Sequence, residues 1–407
     1  MNPDELPDIF EPVIPQENQP RSFADIRPQA GMFQNDKQVA VSGANEVRGV
    51  FTPLDAVNHS GISQNSTTFK PGNSPQLPDG SPTPTASLLE TKPFHLQTLT
   101  PKGDKCDYKR IANLSGHTRS ISAVKFSPCG AYLASSSADR SIKIWNVIDF
   151  ECERTIIGHE LGINDISWNS SSEYIVSASD DATVRMFNVR NGKCVKTMRG
   201  HKQYVFTCCF NPQTSLIASG GFDESIHLWD VISGECLKSI PAHAAPVTSV
   251  SFNNTGLLIA SSSHEGCIRL WDVTNGRCIK TLKDVSDKAI SFVEFTPNGK
   301  FILSTHLNSS IKIWRVSEEG PLKNYTGHEN LKYCVNSSVS LSHGKYVIGG
   351  SENGKIFIWD LNTKHVKQVL EDHSTSLLAI AAHPTHSIIA SGGLEPDQSI
   401  RIWHSNE

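Results

Sequence analysis

The 407-residue sequence has no run of the roughly 18 apolar residues that a membrane-spanning helix needs, so no membrane association is expected. It has little net charge, −4 in total, with 12 acidic and 7 basic side chains in residues 1–104 and 29 and 30 in the remainder. Such a balance supplies no counterion-release drive towards a polyphosphate, so direct nucleic-acid binding is not expected. The opening MNPDELPDIF is acidic and broken by proline, unlike a secretory leader. No C-x-x-C pair occurs among the ten cysteines. Without a leader, the thiols are expected to stay reduced, in cytosol or nucleus. Gly-rich phosphate loops, nucleophile elbows and isolated carboxylate pairs are missing as well, so neither catalysis nor a cofactor is expected.

What is present falls into two textures. Residues 1–104 hold 14 of the 22 prolines and no Trp, Tyr or Cys. So few apolar side chains cannot offset the entropy lost on ordering a backbone, and a disordered N-terminal extension is expected there. Its Pro71–Pro84 stretch (PGNSPQLPDGSPTP) carries Ser-Pro and Thr-Pro pairs of the kind that proline-directed kinases use. From residue 105 to 407, short period-two apolar runs alternate with turn residues, as in ISAVKFSPCGAYLASSSADRSIKIWNV (121–147). That pattern predicts antiparallel strands, and no amphipathic helical segment of useful length interrupts it.

Periodicity decides the fold class. An aromatic residue closes each unit at Trp145, Phe187, Trp229, Trp271, Trp314, Trp359 and Trp403, at separations of 42, 42, 42, 43, 45 and 44. His117, His159, His201 and His243 stand 28 residues before the first four, and His328 and His373 take the same part in the sixth and seventh units. A turn residue lies six positions before each aromatic: Asp139, Asp181, Asp223, Glu265, Asn308, Asn353 and Asp397. Four cysteines, Cys152, Cys194, Cys236 and Cys278, recur every 42 residues and so mark equivalent positions, not a metal cage.

The pattern resembles the WD40 family with its GH…WD signature, over residues 105–407. The resemblance implies an all-β, seven-bladed β-propeller in which the His, the turn Asp, a Ser/Thr and the Trp form a buried hydrogen-bonded set. Six histidines repeated in separate blades cannot converge on one ion, so no metal site is expected. The fifth unit lacks its histidine, and substituted turn residues predict that blades five and six are the loosest. Because the sequence unit ends at a third strand, Tyr108–Leu114 (YKRIANL) is predicted to supply the outer strand of the last blade.

Positions that vary around such a ring mark candidate contacts. One circle starts each inner strand: Ser122, Asn164, Phe206, Thr248, Ser291 and Asn336. A second precedes the turn residue: Ala138, Asp180, Phe222, His264, Leu307 and Glu352. Phe206 and Phe222 share a unit beside Asp180, a combination that suits a guanidinium or ammonium group.

Beyond the generic repeat, VKFSPCGAYLASSSAD (124–139), HKQYVFTCCFNP (201–212), GGFDESIHLWDV (220–231) and TGHENLKYC (326–334) resemble one WD40 branch. That branch is the histone-tail-binding core subunit of trithorax-type (COMPASS-like) lysine methyltransferase complexes. The resemblance implies a nuclear, non-catalytic scaffold, monomeric within a hetero-complex. Its channel mouth would take an arginine from a histone tail or a methyltransferase subunit. The matching pocket residues are Ala138, Asp180, Phe206, Phe222, Ser291, Tyr333, Cys334 and Leu394, with Asn164 and Leu307 alongside. Asn336 and His264 replace a phenylalanine and a tyrosine of that family's pocket, which puts the peptide preference in question. A second surface, for a hydrophobic and acidic partner peptide, is implied at Asn298, Phe301, Ile313, Lys323, Leu341 and Asn362. The alternative function is a substrate receptor of a cullin-type ubiquitin ligase. Its W-D-x-R box is matched only distantly by Phe187-Asn188-Val189-Arg190.

Overall fold

The computed structural model describes residues 106–285, 288–340 and 346–405. The leader expected over residues 1–104 and the candidate Leu341 lie outside them. The described strands form seven antiparallel sheets of four strands each, a seven-bladed β-propeller. Each sheet starts from an inner strand: Ile121–Phe126, Ile163–Trp168, Val205–Phe210, Val247–Phe252, Ile290–Phe295, Ser337–Ser340 or Leu377–Ala382. Alternation puts apolar side chains on both faces of each blade, and cores form where neighbouring blades meet. Ile142, Ile144 and Ile156 of blade 1, for example, bury themselves against Ile163, Ile166, Ile175 and Phe187 of blade 2.

Closure follows the sequence expectation. Tyr108–Leu114 pairs antiparallel with Ile400–Ser405, from Tyr108 opposite Ser405 to Leu114 opposite Ile400. The Gln368 side chain of blade 6 clamps the start of this strand. It accepts from the Tyr108 N–H at 2.9 Å and donates to the Tyr108 carbonyl at 2.9 Å. With this strand in place, the edge of Ile400–Ser405 is paired within the chain and not open to another one.

Within a blade, one polar relay ties the strands to the turn. The Trp145 indole N–H donates to Ser135 Oγ (2.9 Å), which donates to His117 Nε2 (2.8 Å). The other nitrogen, Nδ1–H, donates to the Asp139 carboxylate at 2.8 Å. The same relay runs through Trp229, Ser219, His201 and Asp223 in blade 3 and through Trp271, Ser261, His243 and Glu265 in blade 4. Trp403, Ser391, His373 and Asp397 carry it in blade 7. Blade 2 keeps the His159–Ser177–Asp181 part with Phe187 in place of the indole. Hydrogen bonds from His117, Ser141 and Thr118 hold the Asp139 carboxyl far below the ordinary carboxylate range, against the upward push of burial.

Blades 5 and 6 depart from the pattern in different ways. In blade 5, His306, two residues beyond Ser304, takes over: its Nε2 lies 2.9 Å from Ser304 Oγ, which also accepts from the Trp314 indole at 2.7 Å. In blade 6, His328 does not play the expected part, which corrects the sequence reading. Both of its ring nitrogens are buried without a hydrogen-bond partner. The serine position is Gly349, where a Cβ would lie 2.4 Å from Ile311 Cδ1 and 3.0 Å from the Trp359 ring. Packing therefore excludes the hydroxyl, and the Trp359 indole donates to the Thr326 carbonyl at 3.0 Å instead.

Deleting residues 1–114, against a parent cut before Tyr108, should lower the melting temperature sharply or abolish soluble folding, because blade 7 loses its outer strand. Replacing His117 by Leu should cost about 2–3 kcal/mol by stranding Ser135 and Asp139, whereas His328→Leu should leave the melting temperature unchanged or higher. Burial depresses His328 and His383 to about 4, below the unfolded value near 6.5. Their contribution is therefore complete above about pH 6.5 and lost as pH falls towards about 4, where only the unfolded chain takes up the protons. Melting curves from pH 7.5 to 4.5 should show that decline, with a shallower slope in His328→Leu.

Candidate functional site

The two candidate circles meet at one mouth of the central channel, and backbone geometry puts them there. Pairing between inner and second strands slips after the first residue, at Ile121/Ala123, Ile163/Asp165, Val205/Thr207, Val247/Ser249 and Ile290/Phe292. The skipped residues are Ser122, Asn164, Phe206, Thr248 and Ser291. A β-bulge leaves its extra residue out of the ladder and re-aims the side chain, which here serves the first circle. The second circle is pinned by one repeated bond. The N–H groups of Ala138, Asp180, Phe222, His264, Leu307, Glu352 and Leu394 donate to the carbonyls of Ser120, Gly162, Tyr204, Pro246, Ala289, Glu329 and Ser376. All seven residues are half-buried at the rim.

The bulged polar residues also stitch blade to blade. Ser122 Oγ donates to the Ile163 carbonyl (2.5 Å), Asn164 Nδ2 to Val205 (2.9 Å), Thr248 Oγ1 to Ile290 (2.6 Å) and Ser291 Oγ to Val335 (3.2 Å). Phe206 has no donor to offer, so the stitch from blade 3 to the Val247 carbonyl is missing. In its place stands an aromatic cluster. Phe206 and Phe222 meet edge to face with centroids 6.1 Å apart, and Tyr204 meets Phe222 at 6.3 Å. Both phenylalanines keep part of their surface open to solvent.

Beside the rings, Asn164 Nδ2 donates to Asp180 Oδ1 at 2.7 Å and fixes its orientation. Burial raises the Asp180 carboxyl above its ordinary range; the Asn164 bond opposes this and the neighbouring Asp181 charge adds to it. A half-buried carboxylate of this kind is stabilised by an incoming cation. From Asp180 a cleft of about 630 Å³ runs outward between blades 2 and 3, past Glu160, Leu161 and Tyr204. Leu161 and Tyr204 are 48% and 40% exposed. The sequence reading missed this cleft, although Tyr204 lies two residues before Phe206.

Around the rest of the rim, Asn336 presents a buried Oδ1 without a hydrogen-bond partner. His264 is pushed down to about 4 by burial, so it is neutral near pH 7 and does not repel a cation. Glu352, singled out in the second circle, is engaged internally: one carboxylate oxygen accepts from the Leu331, Lys332 and Tyr333 amides at 2.9, 2.6 and 2.8 Å. That cap shapes the loop carrying Tyr333 and Cys334, and the Lys332 ammonium lies 4.8 Å from the Tyr333 ring centre. Deeper in the channel, Lys125 of blade 1 reaches within 5.4 Å of the Phe292 ring of blade 5. Asp165 accepts from Thr207 Oγ1 at 3.0 Å and from the Cys208 N–H at 3.2 Å. Side chains from opposite blades thus close a floor below the mouth.

The residues expected at a second surface differ in exposure. Asn298, Phe301, Ile313 and Lys323 are all buried, at 7%, 1%, 0% and 8% exposure. The Lys323 ammonium donates to the Leu361 carbonyl at 3.2 Å and to Asn362 Oδ1 at 3.3 Å, which ties blade 5 to blade 6. Asn362 is exposed.

Comparison with known proteins gives a consistent picture of the fold family. A family model described as the WDR5 beta-propeller domain matches residues 113–404. The chain is 27% identical over 119 residues to the WD repeat-containing protein WDS homolog of Arabidopsis thaliana, covering 29% of this chain and 22% of that protein. It is 27% identical over 118 residues to the WD repeat domain-containing protein 83 homolog of Dictyostelium discoideum, covering 29% and 35%. Protein Mut11 of Chlamydomonas reinhardtii is 37% identical over 110 residues, covering 19% and 30%. The chain spans about a third, or less, of the length of these curated relatives.

Proposed function

This chain belongs to the WDR5 β-propeller family, and from that membership we propose a non-catalytic scaffold whose channel mouth seats an arginine side chain of a partner peptide. The observation that carries this reading is the blade 3 break in the ring of stitches. Where the other bulges named above place a small hydrogen-bonding side chain, Phe206 stands against Phe222, next to the oriented carboxylate of Asp180. A planar guanidinium gains from a ring face and from several acceptors at once. Here the face is Phe206. The acceptors within reach of the rim are the Asp180 carboxylate and the unpartnered Asn336 Oδ1. Meeting a buried acceptor that otherwise lacks a donor recovers about 1–3 kcal/mol, which offsets the loss of a second ring at that position. The floor formed by Lys125 and Phe292 sets the depth of entry, and the blade 2–blade 3 cleft takes the residues flanking the arginine. The partner is a histone tail or a subunit of a histone lysine methyltransferase complex, and the site of action is the nucleus. The resemblance of the quoted sequence runs to that branch supports this assignment.

Calorimetric titration with an arginine-bearing histone-tail peptide tests the pocket. Phe206→Ala should abolish measurable binding with an unchanged melting temperature, and exchanging arginine for alanine in the peptide should do the same. Equal affinity in mutant and parent would reject the pocket. Asn336→Ala should weaken binding several-fold if its Oδ1 accepts from the guanidinium. Because Asp180 is raised in the unliganded chain and a cation favours its ionised form, affinity should be complete near pH 7. It should fall with pH, starting above the ordinary carboxylate range near 4. In Asp180→Asn that dependence should disappear along with much of the affinity.

A further inference from the structure

On the face opposite the channel mouth, a groove of about 440 Å³ runs between blades 2 and 3. It borders the turn that follows the inner strand Ile163–Trp168, whose first residues stand at the mouth. Tyr174, Met186, Val195 and Lys196 of blade 2 and Val231 and Ile232 of blade 3 wall it. Ile232 is 83% and Val195 44% exposed, so two large apolar side chains meet water at its edges. Lys196 is third in its outer strand, as are Lys238, Lys280 and Lys323 in theirs. Each of those three donates to two residues of the next blade: Lys238 to the Val273 and Thr274 carbonyls, Lys280 to those of Val316 and Glu318, and Lys323 to those of Leu361 and Asn362. Lys196 reaches a single carbonyl, that of Ser233, at 3.3 Å. Its ammonium therefore keeps donors for an incoming acceptor. Arg190 and Lys193, exposed on the adjoining turn, add positive charge against Glu173 and Glu235, and Glu173 already accepts from Ser171 Oγ at 3.2 Å. Aliphatic side chains next to a carboxylate complement such a groove.

We propose that the chain's own residues 8–14 (DIFEPVI) dock in this groove, with the Glu11 carboxylate accepting from the Lys196 ammonium. Residues 1–20 hold Asp4, Glu5, Asp8, Glu11 and Glu17 and no Lys, Arg or His. Pro12 and Pro15 bias the residues before them, Glu11 and Ile14, towards extended backbone, which lowers the entropy cost of docking. On an extended backbone Ile9, Glu11 and Val13 share one side, a carboxylate flanked by two aliphatic groups. The point where the N-terminal region joins the propeller agrees. Tyr108–Leu114 takes the place of an outer strand and runs towards His117 on the mouth side. The chain preceding Tyr108 therefore leaves the propeller on the face that carries the groove. Residues 15–107 form the tether, and at about 3.3 Å per extended residue they span roughly 300 Å, far more than one domain requires. A tether makes docking intramolecular, so a contact too weak to hold a free peptide is still occupied.

The test uses the full chain. Ile9→Ser, Glu11→Lys and Val13→Ser together should empty the groove. A fluorescein-labelled peptide of residues 1–16 is titrated into that triple variant and into the parent while its anisotropy is followed. The triple variant should bind about tenfold more tightly or better, because the parent's own segment competes. Adding Ile232→Asp, at an exposed position, should abolish binding with an unchanged melting temperature. Adding Lys196→Glu should abolish it too, and a peptide carrying Glu11→Lys should restore it, a rescue that a misfolded variant would not show. No binding to the triple variant, or undiminished binding after Ile232→Asp, would overturn the site. Equal affinity in parent and triple variant would overturn the intramolecular occupant. A parent dimer in light scattering that the triple substitution dissolves would do the same, by assigning the segment to a second copy.

Discussion

The ring depends on where a buried serine hydroxyl sends its proton. In the complete blades the hydroxyl accepts from an indole N–H, so its own hydrogen must go to the imidazole, and the imidazole must then donate to a carboxylate. Only one direction of donation leaves every buried group satisfied, and leaving one stranded costs about 1–3 kcal/mol. The turn carboxylate is thereby fixed relative to the blade, and the residue just before it is fixed at the rim. The candidate surface at the rim consequently inherits its precision from a structural device inside the blade. Blade 6, with its unpaired His328, shows that the closed ring tolerates one blade in which the device is lost.

The bulge at the start of the inner strands contributes the other half of the surface. A residue excluded from the ladder has no structural duty beyond the stitch to the next blade, and that duty is given up by Phe206 in blade 3 and by Leu378 in blade 7. Phe206 occupies this permissive position. Its neighbours Asn164 and Thr248 keep the stitches on either side, so an apolar ring can face the channel without loosening the circle. The candidate contact residue thus stands where the backbone is already irregular.

The architecture was legible because most blades repeat the same solution: the aromatic spacing, most relay residues and the closing strand were readable from residue positions. The rim was legible for a related reason, since departures from a repeat are visible once the register is known. Where one blade solves a problem privately, matching residues against the repeat reveals little of it. His306 replaces the missing histidine of blade 5 from inside its own strand, and Gly349 removes the hydroxyl that His328 needed. Side-chain reach was equally hidden. Glu352 turned inward to cap three amides, and Phe301, Ile313 and Lys323 are buried.

The pairing of Tyr108–Leu114 with Ile400–Ser405 also imposes an order on biogenesis. A ribosome emits the first of these segments long before the second exists, so its hydrogen-bonding edge must wait for nearly the whole propeller to be synthesised. Earlier blades can form in sequence from local hairpins, but the circle shuts only after translation of its final strand. During that interval the waiting segment is an unsatisfied β-edge, the kind of surface that chaperones shield and that crowding neighbours can capture.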